Sequence, residues 1–188
     1  MEEVSSKVTV EFIENFLVVW DPQGGTKLYR LGYYGKPLGI AKPKIPEFDV
    51  PLILDLMEGL YLAEKGVIAV CESSSKRKVS VSRLRRKVRR LYSEFEEKYS
   101  VYKDLRDGGL IVSPGIKFGC DFAVYKQGPG VEHAPYMISV KKAGSEITAT
   151  EIVKAGRLAT TVRKRFIIAV PDLVSRNVEY LIFRWFKA

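Results

Sequence analysis

The stretch VYKDLRDGGLIVSPGIKFGCDFAVY, residues 101–125, decides how the second half of this chain folds. VYKDLRD predicts the end of a helix, and the pair Gly108-Gly109 stops it, because glycine is common just past a helix end. LIVS then predicts a strand, Pro114-Gly115 a turn, and KFGCDFAVYK a further strand-rich run. The stretch therefore predicts a helix followed by strands on either side of a turn.

Downstream of this stretch, apolar runs alternate with polar loops. They predict a strand at 136–140, a helix near 150–162, a strand at 165–170 and a last strand at 178–186. The glycine-rich loop QGPGVEHAP carries the only histidine of the chain, His133. Residues 96–188 are therefore expected to form a C-terminal α/β domain with a central mixed β-sheet.

Upstream, the pattern predicts a smaller mixed α/β domain over residues 1–95. Residues 7–20 predict two short strands, and residues 29–51, with four prolines and three glycines, predict mostly loop. Pro51 suits the first position of a helix that would run to a C-cap at Gly66, with a short strand after it. The fold class predicted from the sequence is thus mixed α+β with two domains.

The positive charge of the chain is concentrated in one segment, KRKVSVSRLRRKVRR, residues 76–90. It holds nine basic residues and no acidic one, whereas the net charge of the whole chain is +9. Apolar residues recur there at helical spacing, which predicts one helix with a single buried stripe: Leu84, Val88, Leu91 and Phe95. Arginines at a helix start oppose the macrodipole. The segment is either a solvated face or a surface for phosphates or an acidic partner.

Composition excludes several classes of protein. With 46% apolar and 28% charged residues the chain has the composition of a folded protein, and no apolar run approaches the roughly 18 residues of a membrane span. We expect a cytoplasmic protein without a membrane partner. Cys71 and Cys120 lack metal or redox spacing, and no Walker loop, GxGxxG or GxSxG motif occurs. No cofactor and no metal are therefore expected.

A metal-free reaction leaves acid–base chemistry as the main possibility. Cleavage of RNA without metal needs a base for the ribose 2′-hydroxyl, an acid for the departing 5′-oxygen and a cation beside the phosphate. Tyr125, His133 and Lys164 offer these three groups. Each alone has an ordinary structural explanation: tyrosines mostly pack, a lone histidine is more often structural, and Lys164 could be a solvated strand start.

Residues 101–125 resemble the archaeal tRNA-splicing endonuclease family, whose catalytic domain carries the pattern YxxLRxxGxxxxxGxKFGxDFxxY. EHAPY resembles the family's histidine loop, and GRLATTVRKRFIIAV resembles its lysine-bearing segment. Upstream, LILDLMEGLYLAEKG resembles the family's N-terminal domain, so the likeness covers most of residues 50–188. The residues that match the pattern in order are Tyr102, Leu105, Arg106, Gly109, Gly115, Lys117, Phe118, Gly119, Asp121, Phe122 and Tyr125.

The resemblance implies an enzyme that cleaves precursor tRNA at intron boundaries within a bulge-helix-bulge RNA, without metal. Its products would carry a 2′,3′-cyclic phosphate and a 5′-hydroxyl. The family's general base falls on Tyr125, its general acid on His133 and its transition-state cation on Lys164. A phenol with a pKa near 10 is a poor base at pH 7 unless nearby cations depress that pKa; Lys164 and neighbouring arginines are the candidates.

The resemblance also implies residues that bind the RNA. The family holds a flipped bulge base between two arginines, which fall on Arg157 and Arg184, since guanidinium planes stack on bases with little sequence preference. Arg184 could equally be a surface charge on an edge strand. The Lys- and Pro-rich loop at 35–50 resembles an insertion of two-subunit members, in which Lys44 would contact a substrate phosphate; the alternative is a solvated loop.

Family members act as assemblies with two active sites, and both homotetramers and mixed tetramers with a noncatalytic partner occur. In the homotetramers an acidic loop of one subunit enters a basic pocket of another. Here the loop after Val170 offers only Asp172 and, further on, Glu179, alongside Arg176. This favours a homologous structural subunit as partner in an α2β2 heterotetramer. Two alternatives stay open: a noncatalytic subunit of such an assembly, and a general basic RNA-binding module.

Overall fold

The structure, a computed structural model, describes residues 7–41, 43, 45–161 and 164–182, apart from the side chains of 154 and 158–161. It divides into two compact units, Met1–Ser93 and Glu94–Ala188. Each unit has its own five-stranded mixed sheet with helices packed on it. The predicted fold class, mixed α+β with an N-terminal domain followed by a C-terminal one, is confirmed.

The first unit is built on a sheet in the order β3-β4-β2-β1-β5, in which β1 and β5 are parallel and the other pairs antiparallel. Its core consists of fully buried leucines and valines of these strands and of the helices above them. Its elements are β1 (Val8–Ile13), β2 (Phe16–Val19), α1 (Pro22–Gly32), β3 (Lys36–Pro37), β4 (Leu52–Leu54), α2 (Leu56–Glu64), β5 (Ile68–Glu72) and α3 (Val81–Leu91).

The described residues of 29–51 are mostly loop, as expected, apart from the end of α1 at Gly32 and the two-residue strand β3. The N-cap of α1 is Asp21, whose carboxylate accepts the Gly24 N–H at 2.8 Å. The helix expected from Pro51 begins only at Leu56. Residues 52–54 pair instead with β2, and Asp55 starts α2 with a capping box completed by Glu58.

The single basic helix expected from the apolar stripe is two helices. α3 ends at Leu91, and α4 begins at Phe95 after Glu94, which has a left-handed backbone with φ 53°. Leu84 and Val88 are fully buried, whereas Leu91 is 47% exposed. The apolar repeat thus continues across the break between two helices, because Phe95 is a buried residue of α4 and not of α3.

The second unit is built on a sheet in the order β10-β9-β8-β7-β6, in which only the described pair β8–β9 is parallel. A crossover helix, α5, joins those two parallel strands, as parallel pairing requires. The elements are α4 (Phe95–Asp107), β6 (Ile111–Pro114), β7 (Phe122–Tyr125), β8 (Tyr136–Val140), α5 (Ala149–Thr161), β9 (Arg165–Pro171) and β10 (Val178–Ile182). A short 3₁₀ turn, Ile116–Phe118, precedes β7.

The two helices of this unit cover opposite faces of the sheet. Tyr102 of α4 lies 6.0 Å from Phe122, measured between ring centroids, whereas Ala155 of α5 is fully buried in a cluster with Ala123 and Met137. Phe122 and Ala123 are neighbours in β7, and neighbours in a strand point to opposite faces. The α5 face of the sheet is the one that carries the candidate site.

Side chains of residues 101–125 stabilise this unit. The Arg106 side chain, 6% exposed, donates to the Tyr102 hydroxyl at 3.1 Å and to the Val112 carbonyl at 3.0 Å. The Asp121 carboxylate accepts the Val140 N–H at 2.8 Å. A Cβ at Gly115 would lie 2.6 Å from the Cys120 sulfur, so only glycine fits there. Much of the pattern is therefore a requirement of packing rather than of chemistry.

Among the residues that the structure describes, no helix combines the length and the apolar character needed to cross a bilayer.

Candidate active site

Three strand ends meet at one edge of the second sheet. β7 ends at Tyr125, and β8 and β9 begin at Tyr136 and Arg165; Val124 pairs with Tyr136, and Tyr136 with Arg165. The same register, continued by one residue toward these strand ends, places Pro135 between Tyr125 on one side and Lys164 on the other. Because neighbouring strands lie about 4.8 Å apart, the two backbones are separated by roughly 10 Å. The register thus brings residues 39 positions apart in sequence to one edge.

Tyr125 and Lys164 also belong to the same face of the sheet. Alternation along the strands puts them with Ala123, Met137 and Phe166, the face that α5 covers. Tyr125 is half-buried and packs against this cluster. The phenol and the ammonium therefore both lie at the rim of a packed core, where side chains are held in place.

The Lys164 side chain is fixed by two contacts. Its Nζ donates to the Ala134 carbonyl at 2.6 Å and lies 4.9 Å from the centroid of the Phe118 ring. The carbonyl bond uses one of the three ammonium hydrogens. Burial lowers the pKa of Lys164 below its ordinary value, and a weaker influence of Cys120 acts in the opposite direction. Because Ala134 follows His133, the same bond ties the lysine to the histidine loop.

The histidine loop, residues 126–135, is closed by Glu132. Its carboxylate accepts the backbone N–H groups of Lys126 and Gln127, the latter at 2.6 Å. These bonds and others to the backbone hold the pKa of Glu132 below its ordinary value. The side chain of His133, next in the chain, is exposed to solvent. The loop therefore presents the imidazole outward from a fixed backbone.

Within the described residues, the candidate cations do not depress the pKa of Tyr125. Burial raises the pKa of Tyr125, and the negative charge of Glu132 raises it further. The phenol of this chain thus favours its protonated form more strongly than a free tyrosine does. The part of Glu132 in closing the loop was not predicted from the sequence. The pattern that indicates it is a carboxylate between two glycines, Gly128 and Gly130, and the histidine.

The three expected catalytic groups are brought to one region but not into direct contact. Within the described residues no hydrogen bond joins Tyr125, His133 and Lys164 to one another; the link is Lys164 to the carbonyl beside His133. The same residues contain no group of three histidine, cysteine, aspartate or glutamate side chains that could hold a metal ion.

Of the expected RNA-binding residues, the structure describes one. Arg157 lies on α5 with its side chain exposed, two residues after the buried Ala155. Arg184 and Lys44 lie outside the described residues.

A half-buried phenol, a fixed ammonium and an exposed imidazole at one sheet edge are the groups that acid–base cleavage of a phosphodiester uses. Fold and site define a two-domain α+β protein of nuclease type. The family model of the tRNA intron endonuclease catalytic C-terminal domain matches residues 95–180, and that of the N-terminal domain matches residues 8–85.

Full-length relatives agree with these matches. A tRNA-splicing endonuclease of Hyperthermus butylicus is 48% identical over 170 residues, covering 90% of this chain and 93% of the relative. One of Sulfurisphaera tokodaii is 38% identical over 178 residues (94% and 98%), and one of Saccharolobus islandicus 42% over 161 residues (85% and 88%). The chain belongs to the tRNA-splicing endonuclease family, as its resemblance implied, and is an endonuclease that acts in tRNA splicing.

Proposed function

We propose that the chain is the catalytic subunit of a metal-independent endonuclease that cuts precursor tRNA at bulge-helix-bulge splice sites. Its products carry 2′,3′-cyclic phosphate and 5′-hydroxyl ends, and it acts in the cytoplasm, where its substrate is. The catalytic domain is residues 96–188, and residues 1–95 form the N-terminal domain. The observation that carries the proposal is the Lys164 ammonium, held by the carbonyl next to His133 at the same sheet edge as Tyr125.

Each group has one task in this reaction. Tyr125 takes the proton of the ribose 2′-hydroxyl, and the resulting oxygen attacks the adjacent phosphorus. The bond from phosphorus to the 5′-oxygen breaks, and His133 gives a proton to that leaving oxygen. Lys164 stabilises the extra negative charge on the non-bridging oxygens of the crowded phosphate. Protons and electrons balance without a metal or a cofactor.

The raised pKa of Tyr125 sets a condition on this mechanism. Only the phenolate accepts a proton, and burial together with Glu132 makes the phenolate scarce at neutral pH. The cleavage rate should therefore increase with pH above neutrality. A cation delivered with the substrate or a partner subunit would relieve this limit.

Binding of the substrate is assigned to three cationic residues. Arg157 and Arg184 hold an unpaired bulge base between their guanidinium planes. Lys44, in the Lys- and Pro-rich loop, contacts a substrate phosphate. The exposed position of Arg157 on the helix that precedes Lys164 supports its part in this assignment.

The loop between β9 and β10 supports a partner that is not a copy of this chain. The carboxylate of Asp172 accepts the Val174 N–H at 2.9 Å within the loop, and bonds to Ser175 help to lower its pKa. Val174 is 94% exposed and Leu173 is 49% exposed. The loop thus presents apolar side chains while its acid is used internally. We propose a homologous structural subunit that supplies the acidic loop in an α2β2 heterotetramer.

The test is cleavage of an intron-containing precursor tRNA in EDTA, by the chain alone and with the coexpressed partner subunit. We expect cleavage at both intron boundaries and 2′,3′-cyclic phosphate ends. A His133→Ala preparation made in the same way controls for contaminating nuclease. Cleavage that requires a divalent ion, or 3′-hydroxyl ends, would overturn the mechanism. RNA binding without cleavage in both preparations would favour the noncatalytic alternatives.

A further inference from the structure

The cations of the basic helix α3 lie on two different parts of its surface, an outer face and the flanks. Residues of an α-helix turn by about 100° each, so the buried Leu84 and Val88 define an inner face of α3. Arg86 then lies opposite that face, and Arg90 lies one turn further along the same side. The remaining cations, Arg83, Arg85, Lys87 and Arg89, lie on the flanks.

Three cations on the flanks of α3, Arg83, Arg85 and Lys87, are neutralised within the first unit. Glu72 of β5 is an ion-pair partner for Arg83 at 3.4 Å and for Lys87 at 2.9 Å. Glu64 of α2 pairs with Arg85 at 3.1 Å on the other flank. These flanking cations therefore have a structural role in attaching the helix to its neighbours.

No described residue neutralises the outer face of α3. Arg86 and Arg90 are exposed, and within the described part of the chain neither side chain has a hydrogen-bond or ion-pair partner. Like charges four residues apart on a helix destabilise it. The first turn of α3 contains no acidic residue that would suit the helix dipole. Stability of the helix does not explain this face, whereas a polyanionic partner does.

We propose that the outer face of α3, centred on Arg86 and Arg90, binds the phosphodiester backbone of the precursor tRNA. The inference rests on the proposed function, in which the substrate is a folded RNA. Guanidinium groups on a rigid helix bind phosphate in bidentate geometry, and folded RNA presents phosphates over a wide surface. Because this face belongs to the N-terminal unit, it should determine affinity for RNA and leave the chemical step unchanged.

The experiment compares RNA affinity and cleavage for the double variant Arg86→Gln/Arg90→Gln. Glutamine has nearly the helix propensity of arginine, so the helix should remain intact, which thermal unfolding checks. Exposed ion pairs contribute a factor of about two to five each, so Kd for the precursor should rise about 4- to 25-fold. The slope of log affinity against log salt should become shallower by about two, one for each lost phosphate contact. The cleavage rate at saturating RNA should stay within about twofold of the wild-type rate.

Two further variants control for charge alone. Lys7→Gln/Lys65→Gln removes the same charge from exposed positions of the same unit and should leave affinity and salt slope unchanged. Arg86→Lys/Arg90→Lys retains the charge but loses the bidentate geometry. Its salt slope should stay near the wild-type value, while its affinity should lie between those of wild type and the glutamine variant. If Arg86→Gln/Arg90→Gln and Lys7→Gln/Lys65→Gln showed the same RNA affinity and the same salt slope, the proposal would be overturned.

The competing occupant is an acidic protein surface. It would show as unchanged RNA affinity together with loss of the copurified partner subunit, and that result would also overturn the proposal. Kd is measured in a His133→Ala background, so that RNA stays intact. If the wild-type chain binds the precursor without cutting it, the proposed function fails while the test of α3 remains valid.

Discussion

Replacing Lys164 with glutamine tests the electrostatic part of the mechanism. Glutamine keeps an N–H that can donate to the Ala134 carbonyl, which the lysine contacts at 2.6 Å. The loop geometry should therefore survive while the positive charge is lost. Removing one preorganised group that stabilises transition-state charge costs about 10²- to 10³-fold in kcat, or about 2.7 to 4 kcal/mol. We expect a loss of that size for Lys164→Gln.

The assay is single-turnover cleavage of precursor tRNA in EDTA with saturating enzyme, together with Kd for the same RNA. Saturation isolates the chemical step, so the loss should appear in the rate and not in Kd. Lys103→Gln is the matched control: it removes one charge from the same unit, at an exposed side chain that pairs with Asp107 at 2.7 Å. This control should cleave within about twofold of wild type.

Cleavage by Lys164→Gln within tenfold of the wild-type rate, or a loss that lay in Kd, would refute the electrostatic role of Lys164. A second variant guards against a folding defect. Phe118→Leu leaves the charge but removes the ring that lies 4.9 Å from Nζ, so the rate should fall about 2- to 30-fold, the size of a cation–π contribution. No fall in this variant would mean that the ring does not position the ammonium.

Three further predictions follow from the site and its supporting helix. His133→Ala should slow cleavage about 10²- to 10⁴-fold while RNA affinity is retained, which single-turnover rates and Kd measure. Glu132→Gln removes a charge that raises the pKa of Tyr125, so the rising limb of the pH–rate profile should move to lower pH, provided that tyrosinate is the base. Glu151, at the start of α5, has a pKa lowered from 4.5 to about 2, first by its bond with Lys141. Its contribution to stability is present above pH 4.5 and lost as the pH falls toward 2, so the difference in unfolding free energy between wild type and Glu151→Gln should shrink over that interval.

Each of these has a clear contrary outcome. Loss of RNA affinity in His133→Ala would assign the imidazole to binding. An unmoved pH limb in Glu132→Gln would show that tyrosinate formation does not limit the rate. A difference for Glu151→Gln that is constant from pH 7 to 2 would contradict the lowered pKa, and chemical unfolding across that range measures it.

Local signals determined much of the fold. The pair Gly108-Gly109 was predicted to end a helix, and α4 ends at Asp107 with Gly109 at φ 79°. The strand predicted at 136–140 is β8, Tyr136–Val140. These predictions were confirmed because caps and short apolar runs act within a few residues. The resemblance to the splicing endonucleases, carried by spaced single residues, was confirmed for the same reason: it needed only the order of residues.

Other elements depended on partners distant in sequence. LIL at 52–54 has a composition that suits a helix or a strand, and pairing with β2 made it a strand. The repeat from Leu84 to Phe95 suggested one helix, but its last member packs in the other unit. Neither outcome is contained in local periodicity, because the deciding contacts come from other segments.

The sequence by itself determined which groups are available: one histidine, a tyrosine eight residues before it, a lysine ahead of a strand and a cluster of arginines in 76–90. Only the tertiary structure decided that Tyr125 and Lys164 lie at the same sheet edge, because the register of three strands sets their positions. It also decided that Tyr125 has a raised pKa and that, among the residues the structure describes, Arg83 and Lys87 have ion-pair partners whereas Arg86 and Arg90 have none. The physical reason is that burial and neighbouring charge are properties of the folded surroundings of a residue, which residue order alone does not specify.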